Sequence, residues 1–285
     1  DLSLWHLKLK GWHGIDYPFL IHSTGVLRFT EIAEQNPIDM TDIKSGDVVA
    51  LIGDFDPHSI LTLLQLIDKN VILVPLTVDT RAQHEYFFKS ALVDVVIEGD
   101  NVKRVIHNFK NDLIESVRLK KHAGLVLFST GTTGRPKAIL HDFTMFLEKF
   151  ETPRPSLRAL SFLLFDHIGG INTLLHILFN KGVIIAPSSR KIPDLLNLCH
   201  EHQVEVLPTT PTFLRMMLFS GFVPNQIPNC IKIITYGTEK MDQHTLTELC
   251  KLLPNIDFRQ TFGMSELGIL RVKSKSRDSL FMKIG

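Results

Sequence analysis

The chain has few cysteines and no long apolar run. Its three cysteines, Cys199, Cys230 and Cys250, are scattered over 285 residues. Their odd number and their spacing fit neither a disulfide framework nor a zinc site, and they favour thiols in a reducing compartment. No apolar run approaches the roughly 20 residues that cross a bilayer, and the N-terminus lacks the pattern of a signal peptide. These absences predict a cytoplasmic protein without a membrane span.

An excess of charge of one sign is also missing. The 31 Lys and Arg residues nearly balance the 30 Asp and Glu residues, which leaves a formal net charge of +1. Proteins that bind nucleic acids usually carry a basic excess or a basic stripe, and this sequence has neither. We therefore expect no nucleic-acid partner. The length allows one large domain or two lobes.

What the first part of the sequence does contain is a short apolar run, then a turn, then a segment with helical periodicity, in repeated order. Residues 47–53, 71–76 and 93–97 are predicted strands, whereas residues 57–69 and 81–90 are predicted helices. This alternation predicts a parallel sheet covered by helices.

A second set of elements begins with a predicted strand at residues 125–128. Further strands are expected at 159–164, 183–186, 204–207, 231–236 and 256–262, with helices at 170–180, 193–202, 212–219 and 242–253. Residues 101–121 are more charged and lack a clear period, so we expect a boundary there. The predicted fold class is α/β, with two packed lobes of mostly parallel sheet and covering helices, over residues 1–115 and 116–285.

The strongest chemical signal is the segment 129–137, which reads Ser-Thr-Gly-Thr-Thr-Gly-Arg-Pro-Lys. It follows a predicted strand, so its backbone N–H groups would lie at the strand's carboxyl end. Gly131 and Gly134 allow close approach to a polyphosphate, and Lys137 adds a cation. The spacing differs from a Walker A loop, and the alternative is a surface turn. The candidate phosphate-binding residues are Ser129, Thr130, Gly131, Thr132, Thr133, Gly134 and Lys137.

This segment resembles the phosphate-binding signature of the adenylate-forming superfamily of acyl-CoA synthetases, luciferases and peptide-synthetase adenylation domains. Residues 25–32, 44–51 and 74–76 resemble its earlier motifs, so the resemblance covers nearly the whole chain. It implies the large N-terminal domain of a ligase, of the acyl-CoA synthetase type found in fatty acid metabolism. Such an enzyme uses ATP and Mg²⁺ to convert a carboxylic acid to acyl-AMP. It then passes the acyl group to CoA or to a carrier protein's phosphopantetheine.

A second motif, Thr-Phe-Gly-Met-Ser-Glu over residues 261–266, is similar to the family's Tyr-Gly-x-Thr-Glu. The resemblance implies that Phe262 lies against adenine, that Ser265 meets the α-phosphate and that Glu266 holds Mg²⁺. A core aromatic at the end of a strand is the alternative for Phe262. The resemblance also implies that Thr261 and Gly263 bind the nucleotide and that Met264 lines the acyl pocket.

The third motif, Tyr-Gly-Thr-Glu over residues 236–239, resembles the segment that binds the adenine edge. Gly237, Thr238 and Glu239 are therefore candidate nucleotide-binding residues. Tyr236 stands where the family often has Gly, so we expect it to narrow the acyl pocket. A plain turn is the alternative.

The fourth motif, Phe-Asp-His-Ile-Gly-Gly over residues 165–170, resembles the element beside the substrate carboxylate. His167 could donate a hydrogen bond to the acid, or it could simply cap the next helix. In members that activate amino acids, an aspartate in the position of Asp166 pairs with the substrate ammonium. The resemblance also places Gly169 and Thr209 at the acid pocket.

Taken together, the resemblance assigns catalytic roles to Lys137, His167 and Glu266. The family's ribose-binding aspartate and its C-terminal lid domain with a catalytic lysine are not identifiable before Gly285. We therefore expect this chain alone to bind ATP but to adenylate poorly. Two alternatives remain: an amino-acid-activating adenylation unit, and a nucleotide-binding or scaffolding remnant with weak catalysis.

Overall fold

The computed structural model describes residues 4–9, 15–34, 37–129, 134–261, 263 and 266–271. Strands β1 to β14 cover Pro18–His22, Gly25–Arg28, Val48–Ile52, Ile72–Leu76, Val95–Glu98, Asn101–Arg104, Gly124–Phe128, Ala138–Asp142, Arg158–Leu160, Val183–Ile185, Val206–Thr209, Ile233–Tyr236, Asp257–Gln260 and Glu266–Ile269. Helices α1 to α10 cover Leu4–Lys8, Glu31–Glu34, Pro57–Asp68, His84–Ala91, Asp112–Leu119, Phe143–Glu148, Ile168–Phe179, Ile192–Glu201, Pro211–Phe219 and Gln243–Leu252. None of the helices described is long and apolar enough to span a membrane.

The strands form two seven-stranded sheets. The first sheet has the order β14-β8-β7-β4-β3-β5-β6, and the second has the order β13-β12-β11-β9-β10-β1-β2. Every residue of β3 and of β4 is buried, which explains their unbroken apolar runs. In the second sheet, only the β1–β2 pairing is antiparallel. The predicted α/β class with sheets of mostly parallel strands is confirmed.

Each sheet combines strands from both ends of the chain. Strands β7, β8 and β14 join the first sheet, where Ile72 pairs with Gly124. Strands β1 and β2 join the second sheet, where Leu20 pairs with Ile184. A boundary at residue 115 therefore does not separate the two sheets.

A shared hydrophobic core joins the two sheets. One cluster contains Val49 and Leu51 of the first sheet together with Leu20 and Ile184 of the second, all almost fully buried. Full burial of each such side chain contributes roughly 1.5–3 kcal/mol. The sheets therefore pack into one body, and groups at the ends of their strands can meet in one place.

Candidate active site

A cleft of about 450 Å³ lies where the carboxyl ends of β4, β7 and β12 meet the start of β14. Ligands commonly bind in such crevices outside the carboxyl ends of parallel strands. Some residues that line the cleft were predicted from the sequence as site residues, and others were not. The lining residues are Pro75, Leu76, Thr80, Gln83, Phe87, Leu127, Phe128, Ser129, Pro136, Ile139, His141, Asp166, His167, Ile168, Thr238, Gly263 and Glu266.

Ser129 and Lys137 close the neck of the glycine-rich loop. The Ser129 N–H donates to the Lys137 carbonyl at 2.9 Å, and the Lys137 N–H donates to Ser129 Oγ at 2.9 Å. The loop joins the antiparallel strands β7 and β8, whose last pair is Phe128 with Ala138. Lys137 is exposed at this neck. The Ser129 hydroxyl therefore holds the loop closed, while the Lys137 side chain stays accessible from solvent.

Tyr86 on α4 anchors the second arm of this loop. Its hydroxyl donates to the Pro136 carbonyl at 2.8 Å, and the Arg135 guanidinium carbon lies 4.5 Å from the centre of its ring. The hydrogen bond and the cation–π contact together restrain the segment before Lys137. No signal in the sequence marks Tyr86, because its acceptor is a backbone carbonyl 50 positions away.

We expect Tyr86→Phe to weaken nucleotide binding by a few-fold. The substitution keeps the ring under Arg135 but leaves the Pro136 carbonyl without its donor, a loss on the order of 1 kcal/mol. Calorimetric titration with ATP and Mg²⁺ measures the effect. Tyr86→Ala, which also removes the ring, should weaken binding further. Equal affinities in the wild type and both variants would contradict this role.

His167 begins α7 and faces the cleft. Its Nδ1 accepts a hydrogen bond from the Gly169 N–H at 3.0 Å, so the ring caps the helix. Its Nε2 lies 3.3 Å from Thr238 Oγ1. Burial lowers the pKa of His167, although Glu239 opposes this effect. One neutral side chain therefore caps α7 and also lines the cleft.

Two glycines, one close to His167 and one directly before Thr238, allow the backbone to pack closely on this side of the cleft. A Cβ at Gly170 would lie 1.9 Å from the Leu164 carbonyl oxygen. A Cβ at Gly237 would lie 2.3 Å from Thr261 Oγ1. The Thr261 N–H donates to the Tyr236 carbonyl at 2.8 Å, which ties the ends of β12 and β13 together. Gly237 and Thr261 thus shape the wall without being part of the cleft lining.

Three other candidate residues lie beside the cleft. Tyr236 is buried in the core of the second sheet, and the Thr209 hydroxyl donates to the Thr235 carbonyl at 2.7 Å. Glu239 Oε2 accepts from the Thr212 N–H at 3.0 Å and from the Thr212 hydroxyl at 2.6 Å. Thr212 lies in the first turn of α9, so this carboxylate meets a helix N-terminus.

Glu266 is exposed in the cleft, where it begins β14 and pairs across the strands with His141 of β8. The described residues contain no group of three or more His, Cys, Asp or Glu side chains that could hold a metal by themselves. Mg²⁺ usually binds one or two carboxylates together with phosphate oxygens and water. One accessible carboxylate in a cleft that Ser129 also lines fits that pattern, if the glycine-rich segment binds phosphate as the sequence predicts.

Asp166 is the second carboxylate of the cleft. Its burial raises its pKa to about 6, with smaller contributions from Asp79 and Asp54. The Thr77 hydroxyl lies close enough to oppose this rise. That hydroxyl is buried and has no hydrogen-bond partner within the described residues. The Asp166 carboxyl and the Thr77 hydroxyl thus lie side by side, close enough to interact but without a hydrogen bond of normal geometry between them.

Some candidate residues lie outside the described part of the chain. Gly134, at the edge of the glycine-rich loop, is described and has a left-handed backbone with φ of +81°. The candidates outside the described residues are Thr130, Gly131, Thr132, Thr133, Phe262, Met264 and Ser265.

Comparison with known proteins agrees with this architecture. Phenyloxazoline synthase MbtB of Mycobacterium sp. (strain MCS) is 24% identical, covering 90% of this chain and 24% of that protein. 4-Coumarate-CoA ligase 1 of Narcissus pseudonarcissus is 25% identical, covering 61% of this chain and 35% of that protein. The bassianolide nonribosomal cyclodepsipeptide synthetase of Beauveria bassiana is 21% identical, covering 83% of this chain and 7% of that protein.

Solved structures share the fold. The N-terminal subdomain of Klebsiella oxytoca NpsA, solved with anthranilyl-AMSN, aligns with a TM-score of 0.70 at 14% identity, covering 92% of this chain and 74% of that chain. The N-terminal domain of FACL13 from Mycobacterium tuberculosis aligns with a TM-score of 0.68 at 14% identity, covering 93% and 76%. The fold is thus that of N-terminal domains of adenylate-forming enzymes. The chain belongs to the AMP-binding enzyme family, whose sequence model matches residues 38–281.

Proposed function

We propose that the protein uses ATP to convert a carboxylic acid to acyl-AMP and then passes the acyl group to a thiol. One observation carries this proposal: a single cleft is lined by residues from each of the four motifs at 129–137, 165–170, 236–239 and 261–266. Ser129 and Glu266 lie in the first sheet's wall, whereas His167 and Thr238 lie in the second sheet's wall. A phosphate-binding loop and a polar wall suited to an acid thus face the same space.

Formation of acyl-AMP requires mainly that the protein positions the two substrates and neutralises their charge. A carboxylate oxygen of the acid attacks the α-phosphorus of ATP, and the bond between that phosphorus and the bridging oxygen to the β-phosphate breaks. Acyl-AMP forms and pyrophosphate leaves with the bond's electron pair. Lys137 and the loop behind Ser129 would hold the phosphates. Glu266 would hold Mg²⁺, which neutralises phosphate charge when bound.

On the acid side of the cleft, neutral His167 carries its proton on Nε2, because Nδ1 already accepts from Gly169. That N–H lies 3.3 Å from Thr238 Oγ1, and with the acid bound it would be shared between this hydroxyl and the acid's carboxylate, which it would orient. The thiol acceptor is CoA or a carrier protein's phosphopantetheine. One relative is named a CoA ligase, which supports CoA as the acceptor. Another is named a nonribosomal synthetase, which supports a carrier protein.

Exchange of labelled pyrophosphate into ATP tests the first half-reaction. We expect exchange that depends on a particular acid from a panel of fatty, aryl and amino acids. Calorimetry with ATP·Mg²⁺ and with a stable acyl-sulfamoyl adenosine tests binding independently. Binding of neither ligand would overturn the proposal and leave a scaffolding role.

A second candidate function is the activation of an acid that bears an ammonium group. Asp166 favours it, because burial outweighs the attraction of the nearby Arg190 and leaves the Asp166 carboxyl with a raised pKa of about 6. The adjacent Thr77 hydroxyl is buried and forms no well-aligned hydrogen bond with another described residue, and it could accept a hydrogen bond from the same ammonium. Exposed Asp54 and Asp79 lie close enough to raise the pKa of Asp166. Among the described residues, Arg190 is the cation near these three carboxylates, so one positive charge faces three negative ones and an ammonium would still be attracted.

If the substrate is an amino acid, its apparent affinity should rise about tenfold between pH 5 and pH 7. The ammonium binds ionised Asp166, and the ionised fraction grows over that range for a pKa of about 6. The measurement is the KM for the acid in pyrophosphate exchange. Phenylalanine and 3-phenylpropionate form a matched ligand pair, because both keep a carboxylate above pH 5 and only the first has an ammonium.

Asp166→Asn provides the control for this pH dependence. The folded-state pKa of about 6 exceeds the ordinary value of 3.8, so ionisation of Asp166 reduces stability as the pH rises between these values. The variant should therefore unfold at a higher denaturant concentration than the wild type at pH 7, but not at pH 4. It should also abolish the pH-dependent preference for the ammonium. An unchanged preference would contradict the second candidate function.

A further inference from the structure

Thr238 has a backbone conformation that its side chain disfavours. It lies in the left-handed region, with φ of +66°. Among the described residues, the other non-glycine residues with positive φ are Asn70, Leu92, Lys121, Lys181 and Gln203. Each of those follows the end of a helix, where a left-handed residue commonly terminates the helix. Thr238 instead follows strand β12 and is β-branched, which makes it a genuine outlier.

The surroundings of Thr238 show what this strain maintains. Its Oγ1 lies 3.3 Å from His167 Nε2 and donates to the Gly237 carbonyl at 2.7 Å. On the other side of the imidazole, the Gly169 N–H donates to Nδ1 at 3.0 Å. His167 therefore donates from Nε2 to Thr238, and Thr238 donates onward to the backbone. The imidazole is held from both nitrogens.

Backbone strain persists at functional sites when the surrounding structure requires it. Glycine would adopt the left-handed conformation freely, but it has no hydroxyl to offer His167. Thr238 and His167 both line the cleft, so the strained residue directly adjoins the expected position of the acid. The strain is therefore linked to the hydroxyl rather than to termination of a helix.

We propose that Thr238 is a positioning residue, whose hydroxyl holds the His167 imidazole in the orientation needed to meet the acid's carboxylate. This inference rests on the proposed function for the role of His167 in activation. The hydrogen-bond chain itself does not depend on that function. The left-handed backbone is what places the hydroxyl within reach of the ring.

Three substitutions at Thr238 separate strain from positioning. Thr238→Ser keeps the hydroxyl, Thr238→Val keeps the shape without the hydroxyl, and Thr238→Gly removes both strain and hydroxyl. Lys121→Gly is a matched control, because it relieves a left-handed residue at the end of α5 outside the cleft lining. In both glycine variants, relief of the left-handed strain should exceed the gain in entropy of the unfolded chain, so both should melt at a higher temperature than the wild type.

The first measurement is NMR of the His167 Nε2–H in ¹⁵N-labelled protein, assigned by its loss in His167→Asn. A hydrogen-bonded proton exchanges slowly, so we expect its signal in the wild type, Thr238→Ser and Lys121→Gly. It should be lost in Thr238→Val and Thr238→Gly. Retention of the signal in Thr238→Gly, or its loss in Thr238→Ser, would overturn the proposal.

The second measurement is acid-dependent pyrophosphate exchange. We expect Thr238→Gly and Thr238→Val to lower kcat/KM for the acid about tenfold, with the KM for ATP unchanged and with near-complete recovery in Thr238→Ser. A more stable but slower Thr238→Gly enzyme would support the inference, and full activity in this variant would refute it. If the wild type activates no acid, the proposed function fails, whereas the NMR measurement still decides whether Thr238 positions His167.

Discussion

Replacing Glu266 by glutamine is expected to lower the rate of acid-dependent pyrophosphate exchange about 100-fold, a loss typical when one stabilising group is removed from a charged transition state. Glutamine keeps the length of the side chain and the hydrogen bonds of strand β14. It loses the negative charge that a hard cation such as Mg²⁺ prefers. The cleft would then have to stabilise the departing pyrophosphate without a metal held at this position.

Two controls distinguish loss of metal binding in Glu266→Gln from disruption of the whole cleft. Binding of an acyl-sulfamoyl adenosine, which lacks the β- and γ-phosphates, should stay within about twofold in Glu266→Gln, since no metal-bridged phosphate is present. Glu201→Gln is a matched control, because Glu201 is exposed at the end of α8 and does not line the cleft. An unchanged exchange rate and unchanged Mg²⁺ dependence in Glu266→Gln would refute the metal role of Glu266.

The second large effect concerns stability. We expect Gly170→Ala to lower the free energy of unfolding by about 3 kcal/mol or more, the upper end for overpacking. The new Cβ would lie 1.9 Å from the Leu164 carbonyl oxygen, and a backbone atom cannot move aside by changing rotamer. Alanine normally favours a helix over glycine by about 1 kcal/mol, so the overlap outweighs the gain in propensity.

Chemical denaturation followed by circular dichroism measures this change. Gly263→Ala is the control, because a Cβ there meets no atom of the described residues within 4 Å and its backbone is not left-handed. That variant should differ from the wild type by less than about 0.5 kcal/mol. If Gly170→Ala were as stable as Gly263→Ala, the close packing of α7 against the preceding loop would be wrong.

The elements that local sequence determines were predictable. Strands β3 and β4 are apolar throughout because both of their faces are buried. Helices α3 and α9 begin at Pro57 and Pro211, and proline at this position is a local signal. His167 was predicted to donate to the acid or to cap a helix; the structure shows the cap and places the ring in the cleft lining.

The remaining features depend on contacts between distant segments. Glu239 directly follows Thr238, which lines the cleft. Its carboxylate nevertheless contacts Thr212 at the start of α9. Strand β8 was not predicted, and it brings His141 opposite Glu266. Tyr86 acts through a backbone carbonyl, which has no signature in the residue types. A sequence pattern identifies the chemistry of a side chain, but distant packing decides which partner it meets.

The way each sheet combines early and late strands has a consequence for the order of folding. Strand β1 pairs with β10 through Leu20 and Ile184, so it must wait for most of the described chain to be synthesised. Ribosomes add roughly 5–20 residues per second, which leaves the β1–β2 hairpin without its neighbour for many seconds. An isolated hairpin is marginally stable in water. During that interval its apolar face is a potential binding site for chaperones, and early release of the chain would expose it to aggregation.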